Sequence, residues 1–321
     1  MLNVFPKISI IMPVLNRQDT IEKALQSVIQ QSYLHYELII LDGGSTDGTL
    51  DKIKQYASHI QYWHSEYDGS PVVAINKGVE KASGDIIAIL MADDWYEPET
   101  LKRLADAYIE QPSADILTCG GRIVAYDETT KTYSPKWIYA TPEKLALSWK
   151  NICFTDTSAI CCRFIKKDFY QRIGLYQPFD KNNKAFFSND KEWLMRAVLH
   201  QAKNYYIPYM GHNYLAHAGS MTFGNHRSSI LKLCEEHMQI ADTYLAKSGL
   251  TFLQKMQLHY WYCDQAVRLF VYQLIDGKRA AALATAKLAL KRYHFFLPLA
   301  VCLTTLRIVR KKWRDRLDRL N

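Results

Sequence analysis

Two adjacent carboxylates, Asp93 and Asp94, close the apolar run in "GDIIAILMADDWYEP". Like charges side by side repel, and a folded core gains nothing from them, so a cation is the partner such a pair demands. A second acidic cluster, Asp42-Gly43-Gly44-Ser45-Thr46-Asp47, ends the apolar run "YELIILD", and Pro13 and Asn16 follow "ISIIM". Hard divalent cations take oxygen ligands, and Mg²⁺ or Mn²⁺ keeps positions open for phosphate oxygens. Carboxylates gathered at neighbouring strand ends therefore point to a metal-bridged diphosphate. After the first apolar run stands "PVLNRQDT" rather than G-x-G-x-x-G, and no G-x-x-x-x-G-K-[ST] occurs. Neither the dinucleotide fingerprint nor a P-loop is present.

These groups need a scaffold that brings strand ends together. The short runs "KISIIM", "YELIILD", "IQYWHS" and "GDIIAILMADD" alternate with helical segments, the first being "DTIEKALQSVIQQS" and the last "PETLKRLADAYIE". Asp19 with Glu22 predicts a capping box, and Ser70-Pro71 an N-cap with proline in the first turn. Continuous apolar strands between amphipathic helices predict a mostly parallel sheet covered on both faces. In such sheets ligands bind beyond the carboxyl ends of the strands. Residues 112–218 are more mixed: "DILTCGGRIVAY" and "DTSAICCRF" read as strands and "NDKEWLMRAVLHQ" as a helix. Beyond about residue 228 the pattern is helical throughout. The expected division is a domain over 1–225 and a helical region with a basic tail over 226–321.

In this order and spacing, "ISIIMPVLN", "LDGGSTDGT", "NKG" and "SGDIIAILMADDW" resemble the N-terminal half of family 2 glycosyltransferases. The resemblance covers about residues 7–100 closely and thins towards 220. It implies a GT-A fold, an α/β sheet flanked by helices, here with a C-terminal helical extension. It also implies an inverting transferase dependent on Mn²⁺ or Mg²⁺. The donor would be a nucleotide-sugar, UDP being the commonest nucleotide, and the acceptor a glycan or lipid-linked glycan in surface polysaccharide synthesis. Carried over by position, Asp42 would contact the base or ribose, and Pro13, Asn16, Gly43, Ser45, Asp68 and Asn76 would line the nucleotide-sugar site. Asp93 and Asp94 take the D-x-D position, with Asp94 as direct metal ligand and Asp93 nearer the ribose and sugar. "SNDKEWLMR" is similar to the segment whose Asp starts a helix and acts as catalytic base, which is Asp190 here, with Trp193 and Arg196 further along. Three positions depart from the pattern. Leu15 stands for the usual Tyr, Arg17 for a frequent Glu, and Val73 for an Asp in "SEYDGSPVVAINKG". The last leaves the donor's identity open.

Other readings of the same residues stand beside these. Asp42 and Asp47 also suit a strand end and a helix cap, and Asp190 suits an N-cap. Trp95 and Tyr96 could stack on a sugar or pack internally. His212, His217 and His226 fit no familiar metal spacing and read as packing or acceptor contacts, while Arg227 could meet a phosphate. A catalytically silent nucleotide-sugar-binding scaffold is the alternative function. A sugar-phosphate nucleotidyltransferase would need an early G-x-G-x-R, which is missing.

The net charge of +8 is carried by the tail: from Lys278 to Asn321 twelve Lys/Arg face two Asp. Phe295–Leu306 is apolar but too short to span a bilayer, and seven basic residues follow between Arg307 and Arg319. The expectation is that residues 294–321 lie on an anionic membrane surface, with packing on the body or on a second subunit as the other reading. Nucleic acid is not expected as a partner, and a homo-oligomer is left open. The seven scattered cysteines form no C-x-x-C pair, and the N-terminus shows no basic leader with an apolar core. A cytoplasmic chain, peripheral at the inner membrane, is the expected location.

Overall fold

The computed structural model describes residues 5–154, 158–179, 187–217, 219–220 and 226–293. The chain forms two compact units, Met1–Ser220 and Met221–Asn321. In the first, the four anticipated runs become β1 (Ile8–Val14), β2 (Tyr36–Asp42), β3 (Tyr62–Ser65) and β4 (Ile86–Ile89). Helices α1 (Ile21–Ile29), α2 (Thr49–Gln55) and α3 (Pro71–Lys81) connect them. The strands pair in parallel in the order β3-β2-β1-β4. Every residue of β1 and β4 is buried, which is why their sequences carry no polar alternation.

The chain continues through β5 (Trp95–Tyr96), α4 (Thr100–Glu110), and a long hairpin of β6 (Ile116–Asp127) and β7 (Thr132–Ala140). There follow α5 (Pro142–Leu145), α6 (Trp149–Phe154), β8 (Arg163–Lys166), α7 (Lys167–Ile173), α8 (Asn189–Leu199) and β9 (Asn204–Ala216). The sheet extends as β4-β8-β6-β9-β5, with β7 alongside β6. Six of the nine strands run the same way, and β5, β7 and β8 oppose them. The result is the expected α/β class, a mostly parallel sheet flanked by helices.

Local chemistry explains the element ends. Ser70 caps α3 as expected, accepting the Val72 N–H at 3.3 Å, with Pro71 first in the helix. The predicted capping box on α1 does not form: Thr20 is the N-cap and no side chain caps it. Glu22 instead accepts from Lys52 Nζ and the Tyr56 hydroxyl, each at 2.8 Å, tying α1 to the end of α2. "DTSAICCRF" is only partly a strand, since Ile160–Cys162 is a 3₁₀ turn and the strand begins at Arg163. α3 packs tightly on β1 at Gly78, where a Cβ would stand 2.4 Å from Ile11 Cγ2.

The second unit contains α9 (His226–Leu245), α10 (Phe252–Ile275) and α11 (Arg279–Tyr293). A capping box of Thr251 and Gln254 opens α10, whose turns from Trp261 to Val267 are buried all round. His237 and Gln265 bond within that core at 3.2 Å. Among the described residues no helix is long and apolar enough to cross a membrane. The tail 294–321 and the side chains of His226 and Arg227 lie outside the described residues. The six described cysteines are buried and free.

Candidate active site

The register of β1 on β2 sets Val14 opposite Asp42, so the two strand ends and their loops lie side by side. Asn16 turns through a positive φ of 50° and donates its N–H to Ser45 Oγ at 2.8 Å. Its side-chain oxygen accepts the Thr46 N–H at 2.9 Å. Asp42 is buried and fully engaged: Oδ2 accepts from Gly44 N, Ser45 N and Ser65 Oγ, and the other oxygen from Ser45 Oγ. The carboxylate thus shapes the very loop it begins. Asp68 lies against Gly43, where a Cβ would stand 3.1 Å from its carboxylate. Burial raises the Asp68 carboxyl above its ordinary range, and the charge of Asp42 adds to that.

Pro13 is buried within β1 opposite Leu41. Asn76 grips the backbone of Tyr176, donating to its carbonyl at 2.8 Å and accepting its N–H at 3.1 Å. These two hold backbone in place, while Asn16, Asp42, Gly43, Ser45 and Asp68 gather at one strand end.

β4 stops at Ile89, and Met91 to Asp94 form a turn closed by Asp94 N–H to the Met91 carbonyl at 3.0 Å. The two carboxylates then part company. Asp93 is partly exposed, 3.3 Å from Arg17 Nε and 2.9 Å from His217 Nε2. Asp94 is 1% exposed beneath β9, with Oδ1 accepting the Leu215 N–H at 3.0 Å. Its Oδ2 faces His212 Nε2 at 3.3 Å, too poorly aligned for a hydrogen bond. Burial raises the Asp94 carboxyl above its ordinary range, with His212 opposing it and the charge of Asp93 adding to it. His212 Nδ1 meets the Tyr139 hydroxyl at 2.8 Å, which in turn lies 3.1 Å from Cys162 Sγ.

Two donor sets could hold a divalent cation. Asp94, Cys161 and His212 bring one ligand atom each within 4.8 Å, and all three are buried. Burial drives the Cys161 thiol well above its ordinary range. A sulfur donor in a closed space suits neither Mg²⁺ nor Mn²⁺, which want oxygens and room for phosphate. Asp93 with His217 fits better, an oxygen and a nitrogen donor 2.9 Å apart and both partly exposed. Sequence reasoning read His217 as a packing or acceptor residue and met Arg17 only as a departure. Neither has a recognisable spacing to the Asp pair, because the chain between them folds through the whole domain.

Asp190 stands in the first turn of α8, which is preceded by Ser188 rather than capped by Asp190 itself. It accepts the Lys191 N–H at 2.7 Å. Burial raises its carboxyl, against the opposing pull of the Lys191 N–H and charge, the Ser158 hydroxyl and Arg163. Trp193 is wholly buried, its indole N–H on the Gly174 carbonyl at 2.9 Å and its rings against Tyr170 and Tyr176. Arg196 bonds Glu192 and the carbonyls of Ile173 and Leu175. α8 and Asn76 therefore clamp the segment 173–176 from two sides. Trp95 and Tyr96 are used in packing: Lys23 Nζ lies 4.2 Å over the Trp95 ring, and the buried Tyr96 donates to the Ile89 carbonyl.

The model of Glycosyl transferase family 2 matches residues 9–174, and the chain belongs to that family. It is 36% identical over 148 residues to TuaG of Bacillus subtilis (strain 168), named for teichuronic acid biosynthesis, covering 45% of this chain and 57% of TuaG. A Methanococcus voltae dolichyl N-acetyl-alpha-D-glucosaminyl phosphate 3-beta-D-2,3-diacetamido-2,3-dideoxy-beta-D-glucuronosyltransferase is 34% identical over 196 residues, 57% of each chain. The chain thus spans little more than half the length of these curated relatives. Residues 1–349 of S. aureus TarS with UDP-GlcNAc share the fold, with a TM-score of 0.57 at 19% identity over 83% of this chain and 73% of that one. The mannosyltransferase PcManGT of Pyrobaculum calidifontis, with GDP-Man and Mn²⁺, does so at 0.56 and 15% identity, over 96% and 88% of the two chains.

Proposed function

We propose that this chain is a metal-dependent, inverting glycosyltransferase. It takes a nucleotide-sugar, UDP-linked first among the candidates, and adds the sugar to a glycan or lipid-linked acceptor in surface polysaccharide synthesis. The observation that carries this is the partly exposed Asp93 carboxylate, set with Arg17 and His217 in a family 2 fold whose next strand end carries the Asn16–Asp42–Ser45 loop. The names of TuaG and the Methanococcus voltae relative support the acceptor class, and the TarS and PcManGT complexes support a nucleotide-sugar donor.

Asp93 and His217 would hold Mn²⁺ or Mg²⁺, which when bound neutralises a departing diphosphate. Asp94 backs the turn from below, fixing it to β9 through Leu215. Asp42, Asp68 and the loop 43–47 receive the nucleotide, with Pro13, Asn16 and Asn76 keeping its frame. Asp190 takes the proton from the acceptor hydroxyl as that oxygen attacks the anomeric carbon. A carboxyl raised by burial suits this task, because its basicity is closer to the working pH. Attack from the face opposite the leaving group inverts the anomeric centre without a covalent enzyme intermediate. Residues 1–225 would carry the chemistry, and 294–321 would hold the chain at an anionic inner-membrane surface.

Val73, where an Asp is usual, favours one other reading, a catalytically silent nucleotide-sugar-binding scaffold. Calorimetric titration of UDP, GDP and dTDP, with Mn²⁺ and then with EDTA, tests the primary reading. One nucleotide binding only with metal, and no longer after Asp93→Asn, is the expected result. Metal-independent binding with no sugar turnover would favour the scaffold.

A further inference from the structure

Around the first turn of α8 lie two buried cations that the chemistry above does not use. Arg163 opens β8 and is 2% exposed; Lys191 follows Asp190 in α8 and is 5% exposed. Such side chains are seldom buried, because withdrawing an ion from water costs several kcal/mol. Both reach one stretch of chain. Arg163 donates from Nε to the Ser158 carbonyl at 2.8 Å and from Nη1 to the Leu145 carbonyl at 2.9 Å. Lys191 Nζ donates to the Ile152 carbonyl at 2.8 Å. The two cations thus fasten the end of α5, the middle of α6 and the loop before β8 by their backbone.

Asp190 belongs to the same cluster. Ser158 joins it to Arg163, its carbonyl accepting from the guanidinium and its hydroxyl donating to the Asp190 carboxylate. The Lys191 N–H holds Asp190 Oδ1 from the helix side at 2.7 Å. Asp190 is half-buried while both cations are buried, so the carboxylate is the member of the cluster that reaches solvent. Between Lys144, Ser158, Arg163 and Lys191 is a cavity of about 10 Å³, room for a single water, so bulk solvent does not screen the two charges. Burial brings the Arg163 guanidinium down only to about 10, which leaves it charged at neutral pH. The other ionisable groups at this corner are Tyr176 and Cys153, and burial raises both, Cys153 to about 12, so neither adds a negative charge.

We propose that Arg163 and Lys191 are positioning residues for the base: through Ser158 and the first turn of α8 they fix the Asp190 carboxylate, and their charges keep it ionised at the protein surface of the acceptor side. A carboxylate drawn out of water tends to take up a proton, and a protonated Asp190 cannot receive one from an acceptor hydroxyl. Two buried cations oppose that drift. The inference rests on Asp190 acting as the base, so its test reads the protonation of Asp190 directly, without donor or acceptor. Carbon-13 NMR of aspartate-labelled protein, with Asp190→Asn identifying the signal, follows the titration of that carboxyl. It would be run on the intact chain and on Lys191→Met, Lys191→Arg, Arg163→Met and Arg163→Lys. Release of UDP from UDP-GlcNAc and of GDP from GDP-Man, with water as acceptor, would be followed against pH for the same set.

The intact chain should hold Asp190 ionised at neutral pH. Each methionine variant should raise the proton affinity of Asp190 about tenfold, and the charge-preserving variants should keep it within about twofold. The acid limb of nucleotide release should move to higher pH with the titration midpoint. A midpoint unmoved in both methionine variants, or moved as far by Lys191→Arg and Arg163→Lys, would overturn the proposal. So would a midpoint above about pH 7 in the intact chain, a measurement that needs no variant to fold. Turnover that survives Asp190→Asn would instead overturn the base reading, whatever the titration shows.

Discussion

At the scale of single residues, the two carboxylates that dominate the sequence have opposite surroundings. Asp93 is partly exposed with two nitrogen partners, whereas Asp94 is enclosed, with Oδ1 held by the Leu215 N–H and Oδ2 facing His212 without a hydrogen bond. Asp93→Asn should therefore abolish metal-dependent nucleotide binding and leave unfolding by denaturant nearly unchanged. Asp94→Asn should cost about 1–3 kcal/mol of stability, because it disturbs a buried acceptor. The opposite pattern, with Asp94→Asn alone losing the metal, would move the cation into the buried trio with Cys161 and His212. Asp190 offers a second separation. Asp190→Asn should keep nucleotide affinity and lower turnover about 10²–10⁴-fold. Its carboxyl is raised and works deprotonated, so kcat should fall with acid at a pH above the usual carboxylate range. A kcat flat through that range would give the base role to another group. The sequence marked these acids as candidates because they sit at strand ends. It did not show which acid of the pair is the less buried, since that depends on β9, which arrives more than a hundred residues later and covers one of them.

At the scale of elements, the parallel half of the sheet was legible because each strand there is apolar from end to end. The β6–β7 hairpin, β9 and the short helices after them were less so. β7 reads "TYSPKWIYA", mostly exposed, with no polar alternation to mark it as a strand. β9 contains Pro208 and two glycine or bulge positions, and its order comes from pairing with β6 rather than from its own pattern. One element joint makes a prediction of its own. Glu37 on β2 is 6% exposed and accepts from Ser9 Oγ at 2.5 Å, Lys7 Nζ at 2.7 Å and Ser83 N at 2.6 Å. Burial alone would raise its carboxyl, but these donors prevail and hold it down to about 2, from an ordinary 4.5. A carboxyl lowered by folding stabilises the fold above about pH 4.5, and that contribution is lost as pH falls towards 2. Glu37→Gln should cost about 1–3 kcal/mol at neutral pH. It should also flatten the dependence of stability on pH between 4.5 and 2. An unchanged acid slope, followed by denaturant melts across that range, would show that the Lys7–Glu37–Ser83 joint does not hold β1, β2 and the start of β4 together.

At the scale of the whole molecule, the charge is divided as sharply as the fold. The net +10 from Lys278 onward leaves about −2 for everything before it, so the body has no electrostatic reason to meet a polyanion and the tail has a strong one. In the tail an apolar run too short to span a bilayer precedes seven basic residues, a composition that would suit a segment lying in the interface. A lipid-linked acceptor would be confined to that same surface, and holding the enzyme there raises the acceptor's local concentration without any new contact in the active site. The chain should therefore sediment with vesicles containing anionic lipid and not with purely neutral ones. Removing residues 294–321 should abolish sedimentation while leaving nucleotide affinity intact. Raising the salt from 0.1 to 0.5 M should weaken it several-fold, since the Debye length falls below about 5 Å. Binding that survives the truncation would shift the contact to the body, and binding equal on neutral vesicles would leave the tail's charge without a role in it.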